Sequence, residues 1–254
     1  MKIGAQFYTL REKATNLDDF AESLKRVADI GYTEVQISGV CHYEGEWLKE
    51  QLDKNGLKCV LTHWGVDDIR DNPIDVVNTH KIFDCKNIGI GCMPGGLDIG
   101  EDHLVSFIEN FTKPAKILHE NGAKLFYHNH DMEFRKCADG EMIIEKIIKA
   151  FPKEILSITM DTYWVEYAGE SACTWLDRLS GRVECIHLKD MKTVDGERRM
   201  APVGYGELDF EKIIAHAESA GTNSLLVEQD HTYGDDPFEC LAKSYKYLKS
   251  LGLN

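Results

Sequence analysis

The sequence predicts an α/β fold of the (β/α)8 barrel class, in a single domain spanning residues 1–254. Three observations predict it. Eight short apolar runs alternate with longer segments of helical periodicity along the whole chain. Eight such units fit 254 residues with no linker rich in Pro, Gly or Ser left over. Most of the runs are near-continuous in apolar residues and end in something polar, the pattern of parallel strands buried on both faces. An open doubly wound sheet would place a Gly-rich dinucleotide turn after its first strand, and Gly4–Glu12 (GAQFYTLRE) has none.

Lys2–Phe7 is the first candidate strand. Asn16 then caps a helix whose apolar face is Leu17, Phe20, Leu24 and Val27, and Gly31 stops it. Glu34–Ser38 is the second strand, and Gly56 closes the helix before the third, Lys58–His63. The fourth, Asn87–Gly91, runs into the one Gly-rich segment, Gly89–Gly96. That segment lacks the Lys-Ser/Thr of a phosphate loop and reads as a plain loop. Gly122 precedes the fifth strand, Lys124–Asn129; Leu156–Asp161 and Val183–Leu188 are the sixth and seventh. Asp209 opens a helix with Phe210, Ile213, Ile214 and Ala217 on its apolar face, ended by Gly221 before the eighth strand, Ser224–Gln229. Asp236-Pro237, a cap followed by Pro at the first helical position, starts a last helix carrying Phe238, Leu241, Tyr245 and Leu248.

Composition is globular, 43% hydrophobic and 28% charged, which argues against a disordered or fibrous chain. The net charge of −14, with no stripe of Lys and Arg, argues against nucleic acid and anionic membrane as partners. The N-terminus has no apolar signal region and no run approaches a membrane span, so a cytoplasmic location is expected. The eight cysteines are scattered without a C-x-x-C pair and read as reduced thiols. A homo-oligomer is compatible with the sequence.

In a barrel of this kind chemistry collects at the C-terminal ends of the strands. Of 10 histidines, His63, His128, His130 and His187 fall at such ends. His80, His103, His119 and His216 lie in helical patterns and read as surface or packing residues; His42 and His231 are in loops. Asp161, His187 and Glu228 end strands six, seven and eight. Carboxylate and imidazole converging there suit a divalent cation such as Mn²⁺, Mg²⁺, Co²⁺ or Zn²⁺ with open positions for substrate. The competing reading is that these groups only hydrogen-bond one another across the mouth.

Five runs in order, Tyr127–Phe134 (YHNHDMEF), Met160–Trp164 (MDTYW), Ile186–Met191 (IHLKDM), Val203–Phe210 (VGYGELDF) and Val227–Asp230 (VEQD), resemble the sugar phosphate isomerase/epimerase family. These are xylose isomerase-like TIM barrels that also include inosose dehydratases and ketose 3-epimerases. The resemblance implies a divalent metal held from strands five to eight by Glu, Asp, His and Glu. Asp161, His187 and Glu228 match the last three, with Asp161 and His187 26 residues apart as in the family. The strand-five position holds His128, so either His128 is the ligand or Glu133 reaches back from the loop; the strand-end position favours His128. An imidazole there tilts the site toward Mn²⁺, Co²⁺ or Zn²⁺ over Mg²⁺, with Mn²⁺ the first expectation.

The activity implied is a metal-dependent isomerase or epimerase of a small keto sugar, cyclitol or keto-glycoside. A polarised carbonyl acidifies the adjacent C–H, and a base removes the proton to give an ene-diolate. A lyase of the inosose dehydratase type shares this first step. A non-catalytic sugar-binding barrel is a further alternative, and the superfamily's endonuclease branch is disfavoured by the charge. Candidate catalytic groups are Glu133, Glu228, His130 and Lys189. His130 is expected to titrate near neutrality, unless it only orients Asp161 or His128; Lys189 either stabilises the enolate or pairs with Asp190 or Glu228. Candidate substrate-binding residues are Gln6, Gln36, His63, Trp64 and Trp164, the tryptophans as stacking platforms or as rim packing.

Overall fold

A computed structural model describes residues 1–253. The eight expected strands form a closed parallel barrel: β1 (Lys2–Gln6), β2 (Glu34–Ile37), β3 (Lys58–His63), β4 (Asn87–Ile90), β5 (Lys124–His128), β6 (Leu156–Asp161), β7 (Cys185–Leu188) and, after a hairpin described below, β10 (Ser224–Val227). Each pairs with its neighbour in sequence order, and β1 closes the ring on β10, with Lys2 opposite Ser224 and Ala5 opposite Val227.

Two strands match their expected limits, and the others are shorter by one or two residues. The trimmed residues have backbone or side chains committed elsewhere. Phe7 begins a 3₁₀ turn, Phe7–Lys13, capped when Tyr8 N donates to Gln6 Oε1. Gln229 N donates to Thr9 Oγ1 rather than to a neighbouring strand.

The helices are α1 (Leu17–Ile30), α2 (Gly45–Asn55), α3 (Val66–Asp71), α4 (Pro73–Ile82), α5 (Glu101–Glu120), α6 (Ile143–Ala150), α7 (Thr162–Tyr167), α8 (Ala172–Arg178), α9 (Phe210–Ala220) and α10 (Pro237–Ser250). Asn16, Asp209 and Asp236 cap α1, α9 and α10 through their side chains, as their sequence positions predict. Gly31, Gly56 and Gly221 end α1, α2 and α9 in the left-handed region. Apolar helix faces pack on the outer barrel surface in one continuous core that includes Phe20, Phe107, Trp175 and Phe210. Among the described residues no helix is long and apolar enough to cross a membrane, and none of the eight cysteines is in a disulfide.

The strand alternation fills the barrel in layers. Leu61, Phe126, Cys185 and Leu226 pack together inside it with Val60. Gly4 faces the same layer, where an added Cβ would lie 2.7 Å from the Leu226 side chain. One pleat further along each strand comes the polar layer of the mouth: Gln6, Gln36, His63, Gly91, His128, Asp161, His187 and Glu228.

The element absent from the sequence reading is an antiparallel hairpin directly after β7, β8 (Asp190–Val194) and β9 (Glu197–Ala201). Its signal was Asp195-Gly196, both at positive φ, flanked by short strand-like runs. Asp190 anchors the following loop: its Oδ2 accepts from Gly204 N at 2.9 Å and Gly206 N at 2.8 Å, and its Oδ1 from Met191 N and Leu208 N. Gly206 has to be glycine, because a Cβ would sit 2.3 Å from Asp190 Oδ1.

Candidate active site at the barrel mouth

Four side chains of the mouth layer each present one donor atom to a common point. The inner atoms of His128, Asp161, His187 and Glu228 lie within 4.8 Å of one another, and all four residues are buried. In each, the outer atom is already tied down. His128 Nδ1 donates to Gly91 O at 3.0 Å, leaving the Nε2 lone pair 3.2 Å from Asp161 Oδ2. Asp161 Oδ1 accepts from Tyr163 N at 2.9 Å and Trp164 N at 3.2 Å, capping α7 and freeing Oδ2. His187 Nε2 donates to Gln36 Oε1 at 2.7 Å, so Nδ1 faces Glu228 Oε2 at 2.8 Å. Glu228 Oε1 accepts from Gln6 Nε2 at 2.7 Å.

With each ring carrying a single proton, this geometry turns an imidazole lone pair toward a carboxylate oxygen. His187 Nδ1 and Glu228 Oε2 are buried and make no properly oriented hydrogen bond. Lone pairs converging from two imidazoles and two carboxylates, with Lys189 Nζ the one cationic group among them, fit a divalent cation. Ligand atoms held about 2.0–2.2 Å from a metal lie roughly 2.8–4.4 Å apart for angles between 90° and trans, and the 2.8, 3.2 and 3.7 Å separations among His187, Glu228, Asp161 and His128 fall in that span, with 4.8 Å the outer bound on the cluster. His128, Asp161, His187 and Glu228 therefore fit a divalent ion with open positions.

Lys189 sits against the cluster, 1% exposed. Its Nζ is 2.9 Å from Asp161 Oδ2, 3.0 Å from Glu228 Oε2 and 3.1 Å from Asp230 Oδ2. Three carboxylates against one ammonium leave a formal charge of −2, which a dication with neutral imidazoles cancels. The expected contact with Glu228 is present, but Asp190 is committed to the 204–208 loop and is not a partner of Lys189.

The electrostatics follow from burial and this charge set. Burial alone would raise Asp161 and Glu228, yet Lys189 and the imidazoles hold both carboxyls well below the usual range. Burial opposes protonation of His187, but Glu228 and Asp161 outweigh it and raise the ring to about 9. A bound cation would displace that proton. His130 differs from the near-neutral titration expected of it. Burial, then His128 and Lys189, push it down to about 3, so the ring is neutral at pH 7.

The cluster opens into a cavity of about 550 Å³. His63, His130, Trp164 and Lys189 line it, with Gln6 and Glu228 in its floor. His63 is clamped from both sides: Ser38 Oγ lies 3.0 Å from its Nδ1, and a Cβ on Gly91 would come within 2.8 Å of the same atom. Its Nε2 is left buried and unpartnered. Trp164 packs against the His130 ring at 5.3 Å.

Three sequence candidates lie elsewhere than expected. Trp64 follows inward-facing His63 and so turns outward, packing on His80 and Tyr43 rather than lining the cavity. Gln36 sits below the cavity as the partner of His187. Glu133 is fully buried beside β5, where Oε1 accepts from Tyr127 Oη at 2.6 Å and Oε2 from His130 N at 2.7 Å. Burial raises its carboxyl despite these bonds, and it is outside the four-residue cluster. Sequence reasoning missed Asp230, Ser38 and Gly91 as contributors; Asp230 was legible only as the polar end of VEQD.

The sequence model described as xylose isomerase-like TIM barrel matches residues 24–251. An inosose dehydratase from Clostridium perfringens is 25% identical over 169 residues, covering 59% of this chain and 56% of the relative, so the match spans little more than half of that protein's length. A sugar phosphate isomerase/epimerase from Parabacteroides distasonis superposes with a TM-score of 0.81 at 22% identity, over 98% of this chain and 94% of the other. An IOLI protein with a bound zinc atom gives a TM-score of 0.72 at 14% identity, over 99% and 98%. At these identities the two structural likenesses show a shared fold.

Proposed function

The chain belongs to the xylose isomerase-like TIM barrel family, and we propose that it is a divalent-metal-dependent isomerase or epimerase of a small keto sugar, cyclitol or keto-glycoside. One observation carries this reading: four buried donor atoms from His128, Asp161, His187 and Glu228 converge at the cavity floor while the outer atom of each is fixed by another partner. Mn²⁺ is the ion we assign first, with Co²⁺, Zn²⁺ and Mg²⁺ as competitors, since imidazole in the set favours the transition ions. The zinc-bound structural neighbour supports the choice of a divalent ion.

Bound there, the ion would supply Lewis-acid polarisation of a substrate carbonyl. The chain's own groups do the rest. Glu228 Oε1, the oxygen turned away from the cation position and steadied by Gln6 Nε2 at 2.7 Å, is the candidate acceptor for the proton on the carbon next to that carbonyl. Lys189, positively charged and buried, offsets the negative charge that develops on the ene-diolate oxygens. His63 Nε2 and neutral His130 are hydrogen-bonding groups at the cavity wall, and Trp164 offers an apolar face to the ring C–H groups. Return of the proton to the same or the neighbouring carbon gives epimerisation or isomerisation.

A second reading, loss of a β-hydroxyl, has its own support in the inosose dehydratase relatives. Both share the first step, so one experiment separates them. Mn²⁺-loaded protein is incubated with ketoses and inosose in D₂O and the products are analysed by mass spectrometry and NMR. Deuterium on the carbon beside the carbonyl with the sugar formula retained supports the first reading; loss of water assigns the lyase. No exchange and no elimination with any substrate, or full activity in Asp161→Ala, would falsify the enzyme reading.

A further inference from the structure

Resting on the reading of the mouth as a ketone-processing site, we propose that the substrate is a glycosylated ketone. Its carbonyl-bearing ring occupies the inner cavity, and an uncharged, hydroxyl-rich second unit occupies an outer compartment between the loops after β1 and β10. A cavity of about 510 Å³ lies there, walled by residues 9, 11–13 and 230–237. It shares Arg11, Asp230 and His231 with the inner cavity, so the two abut along one trough. The inner cavity alone, at about 550 Å³, already meets the size of a typical small-molecule site. A compartment of similar volume beside it is more room than a single sugar ring uses.

The lining chemistry selects the second unit. Glu12, Asp230, Asp235 and Asp236 outnumber Arg11 and Lys13, which disfavours a phosphate. Carboxylates accept hydrogen bonds from hydroxyls, and a sugar supplies many. At the junction of the two cavities Asp230 gives one oxygen to Lys189, while its Oδ1 is buried with no partner. That unmet acceptor is placed for a hydroxyl where the two units join.

Tyr233 is the second observation. It is a bulky residue held at φ 55, a left-handed conformation that side chains of this size rarely adopt. The residue nevertheless stays 53% exposed at the outer compartment. The hydroxyl accepts from Met200 N at 3.2 Å, and Arg199 lies 5.3 Å from the ring centroid, so the hairpin fixes its orientation. A strained, exposed and oriented aromatic ring is a platform for a sugar face.

The test measures binding to the Mn²⁺-loaded protein by calorimetry for D-fructose, fructose 6-phosphate and two keto-disaccharides, maltulose and lactulose. At least one disaccharide is expected to bind about tenfold tighter than fructose, and the phosphate no tighter than fructose. Tyr233→Gly, which accepts the same φ without strain, is expected to bring the ratio close to one, and Tyr233→Phe to retain it. Absence of binding by either disaccharide, equal binding of fructose and both disaccharides, tighter binding of the phosphate, a ratio unmoved by Tyr233→Gly, or one lost in Tyr233→Phe overturns the proposal. Solvent deuterium exchange on the same sugars is scored separately. A preserved binding ratio without exchange sinks the ketone chemistry and leaves the two-compartment assignment standing.

Discussion

Replacing Lys189 by Met removes the ammonium that faces two buried carboxylates and one half-buried one, at 2.9 Å from Asp161, 3.0 Å from Glu228 and 3.1 Å from Asp230. Met keeps most of the side-chain volume, so the perturbation is chiefly electrostatic. Breaking a buried ion pair from one side costs about 3–5 kcal/mol, because the partner charge stays buried without compensation. For a domain of this size each kcal/mol moves the melting midpoint by about 2–4 °C, so the metal-free variant is expected to melt roughly 6–20 °C below wild type. A dication supplies the missing positive charge. Binding at about one hundred times its Kd adds about 2.7 kcal/mol, and the variant, with one more uncompensated charge, gains more than wild type. Thermal melts followed by circular dichroism, in EDTA and then in excess Mn²⁺, read both effects. An unchanged metal-free midpoint, or a gap that fails to narrow with Mn²⁺, refutes this account of the charge balance.

Other perturbations separate neighbouring roles. Glu133→Gln puts an amide donor against either Tyr127 Oη or His130 N, so a loss of about 1–3 kcal/mol is expected in denaturant unfolding. Its Mn²⁺ affinity by calorimetry should stay within threefold of wild type, whereas His128→Ala should lose at least tenfold; the reverse order would make Glu133 the ligand. His80 is buried between Thr62 Oγ1 at 2.8 Å and Val76 O at 2.7 Å, and burial lowers it to about 4. A base depressed in the folded state binds fewer protons than in the unfolded chain between about pH 6.5 and 4. Stability is therefore present above that window and falls through it as pH drops, by up to about 3 kcal/mol from this group. His80→Gln should flatten that part of the urea-stability profile, and an unchanged slope would discount the assignment.

The barrel was legible because its strands are near-continuous apolar runs of the right number and spacing. The mouth was legible for a related reason. Once a strand's last residues are placed, period-two alternation decides which of them face inward. Gln6, Gln36, His63, His128, Asp161, His187 and Glu228 therefore emerge from the sequence as one layer. The same rule, applied one residue further, would have turned Trp64 outward against His80. What the sequence could not reveal was the division of labour within that layer. Gln36 and Gln6 read as substrate contacts, yet each is bound to a neighbour brought near by barrel closure, 151 and 222 residues away along the chain. Glu133 looked available because its captor, Tyr127, is hidden inside the same strand motif. The hairpin after β7 was masked by charged residues on its exposed edge, although its Asp-Gly turn was in plain sight.

The central claim is that His128, Asp161, His187 and Glu228 form one divalent-cation site. Calorimetric titration of EDTA-stripped protein with Mn²⁺, monitored in parallel by electron paramagnetic resonance, tests it directly. The account predicts one Mn²⁺ per chain, proton release on binding as His187 gives up its proton near neutral pH, and no high-affinity site in Asp161→Ala that still folds. No saturable binding by the wild-type chain, or equal binding by the folded Asp161→Ala variant, would contradict it.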